Sequence, residues 1–282
     1  MLMNLAHLFP DWRYRALILT LTKRRVASRY RGTILGVAWS LLLPLLMVTV
    51  FTLVFNHFLH VRWPSTAIAE SASAESLHAA LNIYLGLLVF NYAAETLGSA
   101  PYLVLEHPHY VKKILFPLPI LAYVHAASTL LPLFGGTLVA ALLALWDPAA
   151  HPARLILLTL YWLPLPLWAL TLYWLIGSIG VYLRDIAHLI PPLSTALMFL
   201  SPVFYTATTL SEPWHTLIYL NPLTPAIESA RALLFPSTLS TAALIPLPDP
   251  SPTLISLTAA TLFCYLARRL FVKLQSGFAD VL

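Results

Sequence analysis

The sequence predicts an all-α, polytopic membrane protein with six transmembrane helices, an N-terminal interfacial amphipathic helix and an external re-entrant helical segment between spans five and six. Three observations carry this prediction. Of 282 residues, 59% are hydrophobic and only 10% are charged, with a mean hydropathy of +0.79. Soluble domains carry about 25% charged residues, so most of this chain must face lipid, and both a water-soluble enzyme and a disordered coil are excluded. The few charges punctuate long uncharged stretches, and a span needs roughly 20 mostly apolar residues. Finally, the basic residues fall almost entirely on one side of the scheme those stretches define.

Residues 1–32 read as a cytoplasmic, interfacial amphipathic segment, with Trp12, Tyr14 and Leu17 set among Arg13, Arg15 and Lys23. Its charges follow its short apolar run, the reverse of a signal peptide. Residues 33–282 form one transmembrane domain. Its first span, 33–55, lies between Arg31 and Arg62, and its second, 77–98, begins after Glu75 and carries Glu95. The third, 119–146, occupies the charge-free interval before Asp147, and Ala126, Gly135, Gly136, Ala140 and Ala141 suit it to close helix packing. The fourth, 155–183, falls between Arg154 and Arg184, and the fifth, 187–205, follows Asp185. The sixth, 253–270, runs into Arg268 and Arg269, whose stems can snorkel to the interface.

Residues 213–235 are apolar enough to suggest a seventh span, but they hold Asn221, Pro222, Pro225, Glu228 and Arg231. Proline breaks the helix, and irregular backbone survives at membrane depth only inside protein or beside water. The segment reads as two short helices joined at Asn221-Pro222. With six spans and both termini cytoplasmic, only Arg62, Arg154 and Arg231 of the 16 Lys and Arg lie outside. A seventh span would move Arg268, Arg269 and Lys273 outward and weaken that asymmetry. A single cysteine, Cys264, forbids an intrachain disulfide and a multi-cysteine metal site.

Several phrases resemble those of ABC-type polysaccharide export permeases (O-antigen, teichoic acid or capsule type). They are Arg29-Tyr30-Arg31-Gly32-Thr33-Ile34-Leu35-Gly36 with Trp39 and Pro44-Leu45-Leu46, then Val111 to Pro117, Val181 to Ile186, Leu200 to Tyr205 and Tyr219 to Pro225. Gly277-Phe278-Ala279-Asp280 is similar as well. The resemblance implies a homodimeric channel subunit in the bacterial inner membrane, paired with a separate ATP-hydrolysing subunit pair that holds ATP and Mg. Its substrate would be a lipid-linked polysaccharide leaving the cytoplasmic face. Two departures stand out: Leu118-Pro119 replaces an expected charged residue after Phe116-Pro117, and the outer loop 56–81 has a Ser/Ala-rich sequence of its own.

The residues themselves bear on the same question. No glycine is followed by lysine, so the phosphate-cradling loop of nucleotide hydrolases is absent, and no cofactor is expected in this chain. The short inner loops 106–117 and 184–188 suit coupling to an ATPase, with Phe116 as an apolar anchor and Lys112, Lys113, Arg184 and Asp185 as orienting charges. The alternative is that these charges only set topology. Among Lys23, Arg24, Arg25, Arg29 and Arg31, the candidates for contact with a lipid diphosphate are Arg25, Arg29 and Arg31, because Arg forks match phosphate oxygens. Attraction of a basic helix to anionic lipid accounts for the remainder.

A sugar polymer needs flat apolar faces for its ring C–H groups. The candidate channel-lining aromatics are Phe51, Phe55, Tyr84, Phe90, Tyr92, Phe199, Phe204 and Tyr205; belts and core packing are the competing uses. Glu95, a carboxylate within a span, faces a hydrated path, a polar helix contact or an ion pair rather than serving a proton relay. The ten histidines do not converge at this level, so no metal site is expected. Gly32 and Gly36 read as a small-xxx-small packing pair. Two other readings remain: a permease for another lipid or small amphiphile, and a membrane-embedded glycosyl- or acyltransferase. The inner-face acids Asp11, Glu106, Asp185 and Asp280 are scattered along the chain, unlike a catalytic acid cluster.

Overall fold

The computed structural model describes residues 10–51, 53–54, 58, 72–111, 116–147, 150–235 and 247–282. Among them there is no strand. The helices are α1 (Arg15–Tyr30), α2 (Trp39–Phe51), α3 (Ala72–Ser99), α4 (Pro108–Val111), α5 (Ile120–Leu143), α6 (Leu158–Tyr161), α7 (Pro164–Tyr182), α8 (Ile186–Leu200), α9 (Trp214–Ile218), α10 (Thr224–Leu234), α11 (Ser251–Leu274) and α12 (Phe278–Val281). Among the described residues, four helical stretches are long and apolar enough to cross a membrane: Leu77–Tyr102, Ile120–Trp146, Pro164–Tyr182 and Ser251–Val281. They correspond to the expected second, third, fourth and sixth spans.

The other two expected spans are shorter as helices. Residues 33–35 are not helical, a 3-10 turn at Gly36–Ala38 leads into the 13 residues of α2, and residues 53–54 are π-helical. α8, 15 residues long, ends at Leu200 within the fifth, and the chain turns at Ser201. The expected fourth span also starts late. Residues 152–161 form a short 3-10 turn and α6, the chain breaks at 162–163, and α7 begins at Pro164, where a missing N–H costs nothing. The anticipated split at Asn221-Pro222 is present: α9 ends at Ile218 and α10 starts at Thr224.

α3 is the centre of the bundle and packs on α5, α7, α8 and α10. Its contact with α5 is close at Gly136, where an added Cβ would lie 2.8 Å from the Tyr84 hydroxyl, and that hydroxyl donates to the Gly136 carbonyl at 3.0 Å. Gly180 of α7 admits the turn that follows α3, since a Cβ there would meet the Pro101 carbonyl oxygen at 2.7 Å. Gly32 and Gly36 behave differently from the packing pair expected of them. Both take positive φ, +84° and +52°, with nothing near a would-be Cβ. They are turn residues linking α1 to α2, and glycine adopts that backbone without penalty.

Long-range contacts sort the chain into two ends. At one, Asp11 accepts two hydrogen bonds from Arg268 (3.0 and 3.1 Å), Arg25 reaches Glu106, and the Tyr182 hydroxyl donates to the Leu274 carbonyl at 2.8 Å. At the other, His78 meets Asp147 at 3.4 Å, His151 N–H donates to the Leu234 carbonyl, and the Tyr161 hydroxyl donates to the Pro248 carbonyl. α3 and α5 therefore run antiparallel, α5 and α7 likewise, and α7 and α11 run parallel. The first end gathers the arginines of α1 together with Arg184, Arg268 and Arg269.

Candidate functional site

The basic end holds two partly open ion pairs, both made by arginines of α1. α1 lies across α5 with none of its residues buried. The Arg29 guanidinium donates to Glu95 and forms an ion pair with it, and Arg25 pairs with Glu106 at 3.4 Å. All four side chains stay partly open, from 29% for Glu95 to 48% for Glu106. Of the surroundings considered for Glu95, the structure shows the ion pair, and its partner comes from the arginines expected to meet phosphate. Half-burial of Arg29 works against its charge, but the hydrogen bond and charge of Glu95 prevail and raise its pKa. A groove of about 290 Å³ opens beside these groups, lined by Arg25, Ser28, Arg29, Tyr30, Glu106 and Ser128 among others. Arg31 is exposed just beyond α1.

A second groove, about 270 Å³, lies next to it and is lined by Arg24, Arg25, His107, His109, Tyr110 and His125 among others. Here the structure corrects the expectation that the histidines do not converge. Glu106, His107 and His125 each bring a ligand atom within 4.8 Å of the others. The sequence hid this because His125 is on α5, far along the chain from the Glu106-His107 pair. Burial lowers the His107 pKa; the Glu106 carboxylate opposes that shift, and Arg25 and His109 add to it.

Of the expected coupling residues, Phe116, Arg184 and Asp185 lie at the same end. Phe116 stacks on Tyr110 with ring centroids 4.1 Å apart and planes 7° from parallel. Arg184 and Asp185 are exposed in the tight turn between α7 and α8. Asp185 occupies the N-cap position of α8 without a side-chain capping bond, and the helix dipole favours its carboxylate there. Lys112 and Lys113 lie outside the described residues.

The aromatics divide into two groups. Tyr84, Phe90 and Tyr92 are buried on α3, at the centre of the helix packing, where they fill contacts within the chain. Tyr92 also borders an apolar groove of about 290 Å³ between α3, α7 and α8. Phe199, Phe204 and Tyr205 cluster at the end of α8. Phe199 is 62% exposed, its ring centroid is 6.3 Å from that of Phe204, and its carbonyl accepts from the Tyr205 hydroxyl. Phe51 closes α2, but its side chain, like all of Phe55, lies outside the description.

Sequence reasoning missed the residue that fastens the broken segment. Arg231 is 4% exposed and donates to the carbonyls of Asn82 (3.0 Å), Tyr205 (2.9 Å) and Val203 (2.7 Å) and to the Glu228 carboxylate (3.1 Å). Its i,i+3 relation to Glu228 was the one local signal. The Asn221 side chain completes the fastening by donating to Ser201 Oγ at 2.8 Å. Between α9, α10 and α11 lies a groove of about 780 Å³, with Trp168, Tyr219, Glu228, Asp249 and Phe263 in its wall.

The ABC-2 type transporter family model matches residues 16–235. The chain is 23% identical over 278 residues to the O-antigen export system permease protein RfbA of Myxococcus xanthus, covering 95% of this chain and 96% of that protein. It is 21% identical over 243 residues to the protein of the same name from Klebsiella pneumoniae, covering 84% and 85%.

Proposed function

The chain belongs to the ABC-2 type transporter family, and on that premise we propose that it is the channel-forming subunit of an ATP-driven exporter of lipid-linked, O-antigen-like polysaccharide. One observation carries the reading: the similarity to two O-antigen export permeases runs over 95% and 84% of the chain, so it concerns the whole architecture rather than one motif. The protein is a multi-pass transporter subunit, and ATP hydrolysis belongs to a separate subunit pair on the cytoplasmic side.

In this reading the basic end is cytoplasmic, both termini lie there, and α2 and α8 complete six spans in the inner membrane. A second copy of the chain completes the channel as a homodimer. The lipid diphosphate enters at the α1 groove. There Arg25 and Arg29 exchange Glu106 and Glu95 for phosphate oxygens, a swap made cheap by the solvent exposure of both pairs. Arg31 extends the same basic strip. The polymer then follows a wall that includes Phe199, Phe204 and Tyr205. Phe116, Lys112, Lys113, Arg184 and Asp185 transmit the closure of the ATPase. The broken segment α9–α10 caps the outer end as a re-entrant unit fastened by Arg231.

Deletion of the gene, with complementation by the intact chain, tests the export reading. The expected result is polymer retained inside the cell without the chain and displayed outside with it. Polymer that fails to be made at all in the deletion strain would favour the membrane transferase instead. Reporters fused after Arg62, Asp147 and Pro248 should read as external, and those after Lys113, Arg184 and Leu282 as internal. An internal signal at Pro248 would overturn the six-span topology.

A further inference from the structure

We infer that Glu106, His107 and His125 form a binding site for one divalent transition-metal ion of the zinc type, between the turn after α3 and the first half of α5. Two independent observations point to it. The three side chains present a carboxylate oxygen and two imidazole nitrogens within 4.8 Å of one another. In addition, His125 is 1% exposed, and neither of its ring nitrogens has a hydrogen-bond partner among the described residues. Buried polar groups in native proteins are nearly always partnered, and an orphaned one requires an explanation. An ion held by one of those nitrogens supplies it.

The donor set selects the ion. Two imidazoles and one carboxylate suit zinc and its first-row neighbours, whereas calcium and magnesium prefer oxygen donors throughout. The framework suits a ligand as well. His125 is fixed on α5, with its ring edge-on to Tyr173 at 5.3 Å. The turn that carries the other two is fastened by a hydrogen bond from the His107 N–H to the Val104 carbonyl at 2.9 Å. Arg25 donates to Oε2 of Glu106, which leaves Oε1 to coordinate while the guanidinium orients the carboxylate from outside. Metal bonds of about 2.0–2.2 Å require a small contraction of the three groups. The turn supplies that movement, because Glu106 is exposed and His107 half-buried. Three protein ligands leave a further position for water on the exposed side. The bound ion would tie the base of the 106–117 loop to α5.

The test uses the full chain, purified in lipid nanodiscs through a tag without histidines, stripped with chelator and titrated with Co²⁺ and then Zn²⁺. The expected result is saturation at one Co²⁺ per chain, visible d–d bands of a four- or five-coordinate N/O site, and displacement by Zn²⁺. His107→Gln and His125→Gln should each weaken binding roughly tenfold or more, with elution and helix content of the metal-free protein unchanged. Absence of saturable binding in the wild type, or binding that neither variant weakens, overturns the site. Should both variants misfold, X-ray absorption on the zinc-loaded wild type decides: two imidazoles and a carboxylate support the assignment, and any other shell contradicts it.

Discussion

Arg231 and Arg29 sit at opposite ends of one bundle and are built in opposite ways. Arg231 is buried, and its fork is divided among three carbonyls and one carboxylate on three different segments. Arg29 pairs with Glu95 while 40% of its side chain stays open, and Arg25 repeats the pattern with Glu106. Removing one partner of a buried, paired charge is strongly destabilising because the rest is left uncompensated. A half-exposed pair contributes little and trades partners easily. The first arrangement therefore fixes structure, and the second suits a site that must release and recapture an anion.

The largest expected effect follows from Arg231. Arg231→Met should lower stability by about 3–5 kcal/mol, seen as loss of monodisperse protein and a lower thermal midpoint. Arg231→Lys should fall in between, since an ammonium cannot reproduce the fork. A fully folded Met variant would show that the broken segment is fastened elsewhere. Next comes Gly180→Val, whose Cβ would press on the Pro101 carbonyl. Overpacking of this kind costs about 1–3 kcal/mol and should again reduce folded protein. Tyr84→Phe removes only the hydrogen bond to Gly136 and should lower stability by about 1 kcal/mol, with export per folded chain unchanged. A specific export defect in that variant would place Tyr84 on the path after all.

The smallest effect on stability is expected at Phe199, where an exposed ring is removed. Phe199→Ala should keep its protein level yet export less polymer per folded chain. Leu133→Ala on α5 is the packing comparison, because Leu133 is 2% exposed whereas Phe134, a neighbour on the same helix, is 52% exposed. Equal loss of protein in Phe199→Ala and Leu133→Ala would mean that Phe199 packs rather than lines a conduit.

What the sequence made legible was set by local pattern. Uncharged runs located α3, α5, α7 and α11, and the doubled prolines around Asn221 located the break between α9 and α10. Length was less legible: the small-xxx-small spacing of Gly32 and Gly36 predicts helix packing, but their positive φ places them in the turn before α2. The site was harder to read because its partners are far apart in the chain. Arg25 and Glu106, Arg29 and Glu95, Asp11 and Arg268, and His107 and His125 meet only through the antiparallel packing of helices, and no spacing rule encodes that. Glu95 was legible as a misfit, since a carboxylate in an apolar run demands a partner. Which arginine answers it depended on the path of α1 across α5.

Polymer export per folded chain in the charge-swapped pair Arg29→Glu with Glu95→Arg tests the exchangeable role of Arg29 most directly. The swap preserves an ion pair between α1 and α3 but removes the cation from α1. The expected result is folded protein at the wild-type level, with export lost in the swap as it is in Arg29→Ala. Export restored to the wild-type level by the swap would contradict this role, because Arg29 would then serve only to hold Glu95.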